Sequence, residues 1–303
     1  MIQRIPLLEV GPVALSATAT IHLEQLIGRR VLGLILEFGY TGGTNTIASS
    51  VLHITEMRLI INDQVKRRVS GLQWRDLLLK NGLIYDAQGL PNTAPGVALT
   101  IPFAEAWRQD RDQREITSLP TVWGGGKQPR QSISNFRVEL DIGAAIAGSS
   151  APTIIAWADV DDVIPDIATA AMVEWIPMFF PAGGAEFTAS LNRSGVLVAM
   201  QLYRDSLNGR VYTRAKLVVD EITRHDLGFT SNFADLTFNG MVPLGGGART
   251  VGIYDIILDR DDNLSKAVNL NGASSAALTL TATGGAMGGN VVSITELIRP
   301  ILS

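Results

Sequence analysis

Residues 1–8 read MIQRIPLL, and 171 positions later residues 172–179 read MVEWIPMF. The matches continue in the same order: 17–23 (ATATIHL) with 185–191 (AEFTASL), 59–63 (LIIND) with 217–221 (LVVDE), 100–103 with 250–253 and 110–112 with 259–261. Each match alone is weak, because alternating strands resemble one another by chance. However, the offset falls steadily from 171 through 168 and 158 to 149. This order favours an internal duplication whose second copy has shorter loops.

The composition supports two packed domains and excludes several functions. A chain of 303 residues can form two cores of about 150 residues each, and 46% of it is hydrophobic while only 18% is charged. Part of the apolar surplus is expected between subunits. The net charge of -4 and the pI near 5.4 argue against direct nucleic-acid binding. Because there is no cysteine, disulfides, thiolate metal sites and cysteine nucleophiles are excluded.

The chain shows no membrane-spanning or secretory pattern. No apolar run reaches the roughly 18–20 residues that span a bilayer. The start resembles a signal peptide, but Pro6, Glu9 and Pro12 interrupt its apolar stretch and the same opening recurs at Met172. We therefore expect no cleaved signal, and a protein that acts in the cytoplasm or in an assembly built there.

The dominant hydrophobic period is two, which predicts β-strands. The predicted strands are 13–23, 30–40, 54–62, 64–69, 97–107, 134–142 and 153–160 in the first copy, and 186–191, 196–203, 215–221, 250–258, 277–283 and 291–298 in the second. The pair Asn62-Asp63 tolerates positive φ and predicts a tight hairpin.

One helix follows the hairpin in each copy. Ser70 and Gln73 have capping-box spacing, and the apolar face that follows is Leu72, Trp74, Leu77, Leu78 and Leu79. Residues 230–239 occupy the matching place. The sequence therefore predicts an all-β protein of two tandem jelly-roll β-sandwiches, each with one short helix after a hairpin. The predicted domains are 1–163 and 164–303, with the boundary in the acidic, proline-containing segment 161–171.

No residue pattern indicates catalysis. Gly124-Gly125-Gly126-Lys127 lacks the first glycine and the Ser or Thr of a phosphate loop, so a flexible loop is expected. His22, His53 and His225 have no metal-ligand spacing and are expected on a solvated strand face or hairpin. We predict no catalytic residues. Carboxylates for glycoside hydrolysis are not excluded by spacing, but nothing in the sequence supports them.

Two acidic clusters concentrate oxygen ligands. Asp259, Asp261 and Asp262 lie within four residues, as do three carboxylates in 159–162. Calcium prefers such ligands, so the first cluster is our candidate for structural calcium. The alternative is that both clusters are solvated loops that keep strand edges from pairing.

Three segments resemble a known family when taken in order: 56–63 (EMRLIIND), 72–81 (LQWRDLLLKN) and 97–103 (VALTIPF). They resemble the first half of the major capsid protein of corticoviruses, which are tailless icosahedral phages with an internal membrane. The finnlakeviruses are an equally good match. The resemblance implies a double jelly-roll coat protein of the lineage that also includes tectivirus and adenovirus coats.

The function implied by the resemblance is that of a structural major capsid protein, with no enzymatic activity and no cofactor besides the calcium. It implies a homotrimeric capsomer with a six-fold-like outline in the virion capsid, assembled in the host cytoplasm. The implied partners are neighbouring capsomers, a vertex (penton) protein and an internal lipid membrane or its proteins. The alternative is a tandem β-sandwich protein that binds carbohydrate or processes glycans.

Overall fold

The computed structural model describes residues 2–7, 13–39, 51–80, 97–105, 117–144, 153–180, 185–203, 211–238, 253–259, 264–283 and 291–302. Its contacts divide the chain into unit 1, Met1–Val173 with Pro300–Ser303, and unit 2, Glu174–Arg299. This division lies later than the predicted boundary at 163/164, because strand β12 (Ala171–Phe180) begins within unit 1. Residues 162–170, where the boundary was predicted, contain no helix or strand.

Unit 1 is a sandwich of two sheets with an α-helix beside them. Its strands are β1 (Gln3–Pro6), β2 (Thr18–His22), β3 (Arg30–Gly39), β4 (Ile54–Ile61), β5 (Gln64–Val69), β6 (Val97–Pro102), β7 (Leu119–Pro120), β8 (Val122–Trp123), β9 (Gln131–Ser132), β10 (Phe136–Ile142) and β11 (Thr153–Asp161), and its helix is α1 (Gly71–Lys80). One sheet has the order β1-β11-β3-β6, with β7 beside β3, and the facing set has the order β2-β10-β4-β5. Strands β8 and β9 form a separate ribbon.

Unit 2 repeats this plan. Its strands are β12, β13 (Glu186–Ser190), β14 (Val196–Tyr203), β15 (Val211–Val219), β16 (Ile222–Gly228), β17 (Tyr254–Ile257), β18 (Val268–Asn269), β19 (Ala276–Thr283) and β20 (Val291–Pro300), and its helix is α2 (Phe229–Phe238). One set has the order β12-β20-β14-β17, with β18 beside β14, and the facing sheet has the order β13-β19-β15-β16. In both units the chain moves between the two sheets in the same sequence, which is the jelly-roll connectivity.

The register agrees as well as the strand order. Leu59 pairs with Val138 and Arg67, and Leu217 pairs with Leu278 and His225 at the equivalent positions. A β-bulge follows each of these leucines, between Leu59 and Ile60 and between Leu217 and Val218. The predicted match of Leu59 with Leu217 is therefore confirmed.

The offset between equivalent residues falls along the chain, as the sequence predicted. It is 168 at Thr20 and Thr188, 158 through the hairpin and helix, and 140 at Val138 and Leu278. The predicted match of 100–103 with 250–253 is wrong. Leu34 and Met200 are equivalent because each lies two residues after the bulge of its strand. Ile101, opposite Leu34, therefore corresponds to Ile256, opposite Met200. A short repetitive strand carries too little information to fix that register.

The hairpin turn is built in the same way in both units. Asn62 and Asp63 have φ of 51° and 63°, and Asp220 and Glu221 have φ of 49° and 65°, as a two-residue turn with both central residues left-handed requires. The Asn62 carboxamide oxygen accepts a hydrogen bond from the Ser134 amide at 2.7 Å, and the Asp220 carboxylate accepts one from the Ser274 amide at 2.7 Å. In unit 1 the turn binds the segment just before β10, which pairs with β4. In unit 2 the turn binds the segment just before β19, which pairs with β15.

Helix α1 begins with the predicted capping box. The Ser70 amide donates to Gln73 Oε1 at 2.9 Å and the Gln73 amide donates to Ser70 Oγ at 3.3 Å. Trp74 and Leu78 are buried, and Trp74 Nε1 donates to the Thr100 carbonyl oxygen at 2.8 Å. Leu72, expected on the apolar face, is exposed instead. It lies at the start of the helix, outside the stripe that faces the sheets.

Some strand limits differ from the predictions. The strand expected over 13–23 spans only Thr18–His22, because Ser16 has a φ of 55° in a turn that precedes it. Strand β6 ends at Pro102, after which the Phe103 and Ala104 amides both donate to the Leu32 carbonyl oxygen and interrupt the regular ladder. Strands β1 and β12 were not predicted as strands, although they carry the opening repeat. None of the helices in the described ranges could cross a bilayer, given their length and polarity.

Candidate assembly surfaces and predicted sites

The outer face of β2-β10-β4-β5 carries an ion network centred on Arg58. Its guanidinium contacts Glu56 at 2.5 Å, Asp141 at 2.6 and 2.9 Å, and Glu139 at 3.1 Å. Alternation along the strands places all four side chains on the side away from the core. The network continues through three further pairs: Arg68–Glu56, Arg137–Glu139 and Arg137–Asp63.

The network favours the charged forms of Arg58, Glu139 and Asp141. Hydrogen bonding to Arg58 lowers the pKa of Asp141, and hydrogen bonding to Arg137, with a further bond from Arg58, lowers the pKa of Glu139. The pKa of Arg58 is raised in turn, mainly by its bond to Asp141. Because these groups are only partly buried, solvent screens part of the interaction. The face remains a fixed pattern of charge at neutral pH.

The equivalent face of unit 2 has different chemistry. Register places Thr279 where unit 1 has Glu139, and Thr281 where unit 1 has Asp141. Thr188 and Thr279 share a 2.9 Å hydrogen bond between their hydroxyls, and beside them Arg214 pairs with Asp226 at 2.5 and 2.7 Å. The two faces have equivalent backbones, but their side chains present different surfaces to a partner.

The hairpin and helix also differ in exposure between the units, which the sequence did not predict. Arg75 is 8% exposed while its equivalent Phe233 is 54% exposed, and Lys80 is 7% exposed while Phe238 is 90% exposed. Lys66 of β5 is buried, whereas its equivalent on β16, Arg224, is exposed. Unit 2 thus leaves uncovered a surface that unit 1 covers within the chain.

The first residues of β12 cover part of strand β5 in unit 1. Arg67 is buried and its Nε donates to the Val173 carbonyl oxygen at 2.9 Å. Its Nη1 donates to the Pro102 carbonyl oxygen at 2.6 Å, and its guanidinium lies 4.9 Å from the Phe103 ring centroid. These contacts tie β5 to residues 171–173 of β12, which belong to unit 1. No sequence motif marks Arg67, since its role depends on a strand about a hundred residues away.

The acidic segment 159–162 is an arginine-paired cluster. Asp159 pairs with Arg4 at 2.8 Å, Asp161 with Arg30 at 2.9 Å, and Asp162 with Arg29 at 3.3 Å. Arg4 lies on β1 and Arg30 on β3, so the pairs join the two strands that flank β11. The carboxylates therefore serve as cross-strand partners.

The calcium hypothesis stays a prediction. Asp259 is buried after β17, while Asp261 and Asp262 lie outside the described residues. The described part of the chain contains no cluster of three or more acidic or histidine side chains placed to hold a metal.

Chelation tests the calcium hypothesis. EDTA should lower the unfolding temperature of the native protein and leave that of an Asp261→Asn, Asp262→Asn variant unchanged. An equal response of the two proteins would contradict it.

The glycine-rich loop is held by residues of the segment between β11 and β12. The Gly124 amide donates to the Pro165 carbonyl oxygen at 2.9 Å and the Gly126 amide donates to Asp166 Oδ1 at 3.3 Å. Gly124 has a φ of 75° and a Cβ there would lie 2.3 Å from the Pro129 carbonyl oxygen, so this position requires glycine. The loop has a structural explanation that needs no phosphate.

Among the three histidines, His22 is exposed as predicted, and His225 lies on a hairpin strand but is not exposed. His22 is exposed and its Nδ1 lies 3.6 Å from Glu24. His53 and His225 are buried instead. Burial lowers the pKa of His53, and His225 Nε2 lies 2.9 Å from the Tyr254 hydroxyl. The expectation of solvent exposure was wrong for these two because their neighbours come from distant parts of the chain.

Comparison with protein families identifies the chain. The model of the viral coat protein P2 N-terminal domain matches residues 4–161, more than half of the sequence. The chain belongs to the viral coat protein P2 family. None of the curated protein sequences matches it.

Solved structures with a similar fold are capsid proteins. The major capsid protein P2 of bacteriophage PM2 has a TM-score of 0.71 and 15% identity, covering 99% of this chain and 98% of that chain. The STIV major capsid protein has a TM-score of 0.65 and 14% identity, covering 98% and 96%. The PBCV-1 virus capsid has a TM-score of 0.62 and 12% identity, covering 98% and 93%.

The predicted fold and family are thus confirmed. This viral coat protein has two jelly rolls, and it is a component of the virion capsid. The comparisons give no support to the alternative of a carbohydrate-binding or glycan-processing protein.

Proposed function

We propose that this coat protein forms homotrimeric capsomers with a six-fold-like outline, which tile the shell of an icosahedral phage with an internal membrane. The observation that carries the proposal is the agreement over nearly the whole length of both chains with the PM2 capsid protein, including both jelly rolls. Two jelly rolls of one topology in each subunit let three chains present six similar walls. Cyclic oligomers beyond dimers are closed by such head-to-tail contacts.

The partners in this proposal are neighbouring capsomers, a vertex protein and, beneath the shell, an internal membrane or its proteins. Assembly takes place in the host cytoplasm, and the protein acts structurally, without enzymatic activity. The acidic balance of the chain supports a shell that does not contact the genome directly.

Size-exclusion chromatography with multi-angle light scattering tests the trimer. The chain mass is 32.5 kDa, and the expected result is one species of about three times that mass that persists on dilution. A folded monomer at micromolar concentration would contradict the proposal. Circular dichroism of the same sample shows whether the protein in that species is folded.

A further inference from the structure

The first strand of each jelly roll carries a similar opening sequence, and in the second jelly roll this strand, β12, has a neighbour on both sides. Strand β12 begins beside β5, where Val173 accepts the hydrogen bond from Arg67. The repeat places Ile2, which directly precedes β1, at the position of Val173, 171 residues earlier, and Pro6 of β1 at the position of Pro177. The residue that leads into β1 thus matches a residue that covers the edge of β5.

The outer edge of β1 is free to pair. Within the described residues β1 lies at the end of its sheet and pairs only with β11. The Leu7 amide donates to the Ala156 carbonyl oxygen, so alternation directs the peptide groups of Ile2 and Arg4 away from β11. The Ile2 carbonyl oxygen therefore faces outward, as the matching Val173 carbonyl oxygen faces Arg67.

The strand equivalent to β5 is β16, and its outer edge is open too. β16 lies at the end of its sheet, with β15 as its one neighbour among the described strands. Ile222, Thr223 and Arg224 are exposed on it, and helix α2, which contacts β16, exposes Phe233 and Phe238. We call these five residues the unit 2 edge surface. An open strand edge beside exposed aromatic side chains is a surface that soluble proteins normally cover.

We infer that the unit 2 edge surface is the docking site for strand β1 of a second copy of the chain. The inference rests on the proposed function, since it assumes that copies of the chain assemble, and it names the strand and surface that meet. The contact reproduces between copies the one that β5 makes with the start of β12. Each copy offers β1 on unit 1 and the unit 2 edge surface on unit 2, so contacts of this kind are head-to-tail and can close a ring.

Disulfide trapping tests the inference, and the absence of native cysteine makes the result easy to interpret. The register places Ile2 near His225, so the test introduces Ile2→Cys together with Thr223→Cys or Arg224→Cys, two exposed positions beside it. Neighbouring strands lie about 4.8 Å apart, within the Cα separation that a disulfide spans. His225 itself is left unchanged because it is buried against Tyr254.

After mild oxidation, denaturing gels without reductant should show covalent dimers and trimers for at least one double variant and monomers for each single variant. The matched control joins Ile2→Cys with Gln64→Cys, since Gln64 is the equivalent of Ile222 on the hairpin of unit 1, and it should give no intermolecular product. Cross-linking by the control, or by single variants, would overturn the inference.

Light scattering on the same samples separates the two ways to fail. Oligomers that form but do not cross-link at either position would refute the docking site and leave the proposed function standing. Monomers before oxidation would refute the proposed function itself.

A second experiment tests the aromatic part of the unit 2 edge surface. Phe233→Asp with Phe238→Asp should raise the dissociation constant of the oligomer at least tenfold, while Leu72→Asp on helix α1 should change it less than twofold. Equal effects would also overturn the inference.

Discussion

The outer faces of β2-β10-β4-β5 and β13-β19-β15-β16 share one backbone register and differ in chemistry. The first holds Arg58 among three carboxylates, and the second places threonines at two of the equivalent acidic positions. The inward residues do not diverge in this way: Leu59 and Leu217 are both buried in a core. Packing constrains the inward positions of a duplicated sandwich, while outward positions can diverge and give each jelly roll its own contacts.

The largest expected difference between equivalent positions is in the two helices. Trp74→Ala should lower the free energy of unfolding by about 3–5 kcal/mol, because it leaves a cavity beneath α1. Asn232→Ala, at the equivalent place in α2, removes the 2.7 Å hydrogen bond to the Asp255 carbonyl oxygen and should cost about 1–3 kcal/mol. Urea unfolding followed by circular dichroism measures both. Equal costs would show that α1 is not the more tightly anchored helix.

The ion network gives the next difference. Arg58→Met leaves Glu56, Glu139 and Asp141 without their shared cation, and it should cost about 1.5–3 kcal/mol, the range for hydrogen bonds to charged groups. Lys216→Met, at the equivalent place on β15, should change stability by less than about 0.5 kcal/mol. The same urea titrations compare the two variants. A loss at Lys216 as large as at Arg58 would remove the contrast between the faces.

These two comparisons also show what the sequence could predict. The hairpin at Asn62-Asp63, the capping box at Ser70 and the alternating strands are local patterns, and the structure confirms each of them. The ion network, the hydrogen bond from Arg67 to Val173 and the burial of His53 and His225 depend on strands that pair across long stretches of chain. Local periodicity does not determine which strands pair, so these features could not be derived from it.

Acidification should remove the stability that the ion network gives to the first face. The pKa values of Asp141 and Glu139 are lower in the folded protein than in the unfolded chain. Their contribution to stability is therefore complete above their ordinary pKa values near 4 and is lost as pH falls through the folded values. Between about pH 6 and pH 3 the native protein should lose more thermal stability than Arg58→Met. Equal losses in both proteins would show that the network is not the source.

The smallest expected effect concerns the helix caps. Ser70→Ala should cost about 1 kcal/mol, because the Gln73 amide loses its acceptor, while Ser70→Gly should cost only a few tenths. Glycine is informative here because Gly228 stands at the equivalent position before α2. Thermal unfolding of the two variants measures the difference. A larger loss for glycine than for alanine would show that backbone flexibility, and not the cap, dominates at this position.

The most direct test of the duplicated fold is an experimental structure of the purified protein. Superposing unit 2 on unit 1 should place Leu217 on Leu59, the Asp220-Glu221 turn on Asn62-Asp63, and His225 on Arg67. It should also place Asn239 on Asn81, two residues that lie outside the described part of the chain. A structure in which the two units superpose in a different register, or with a different strand order, would contradict the account.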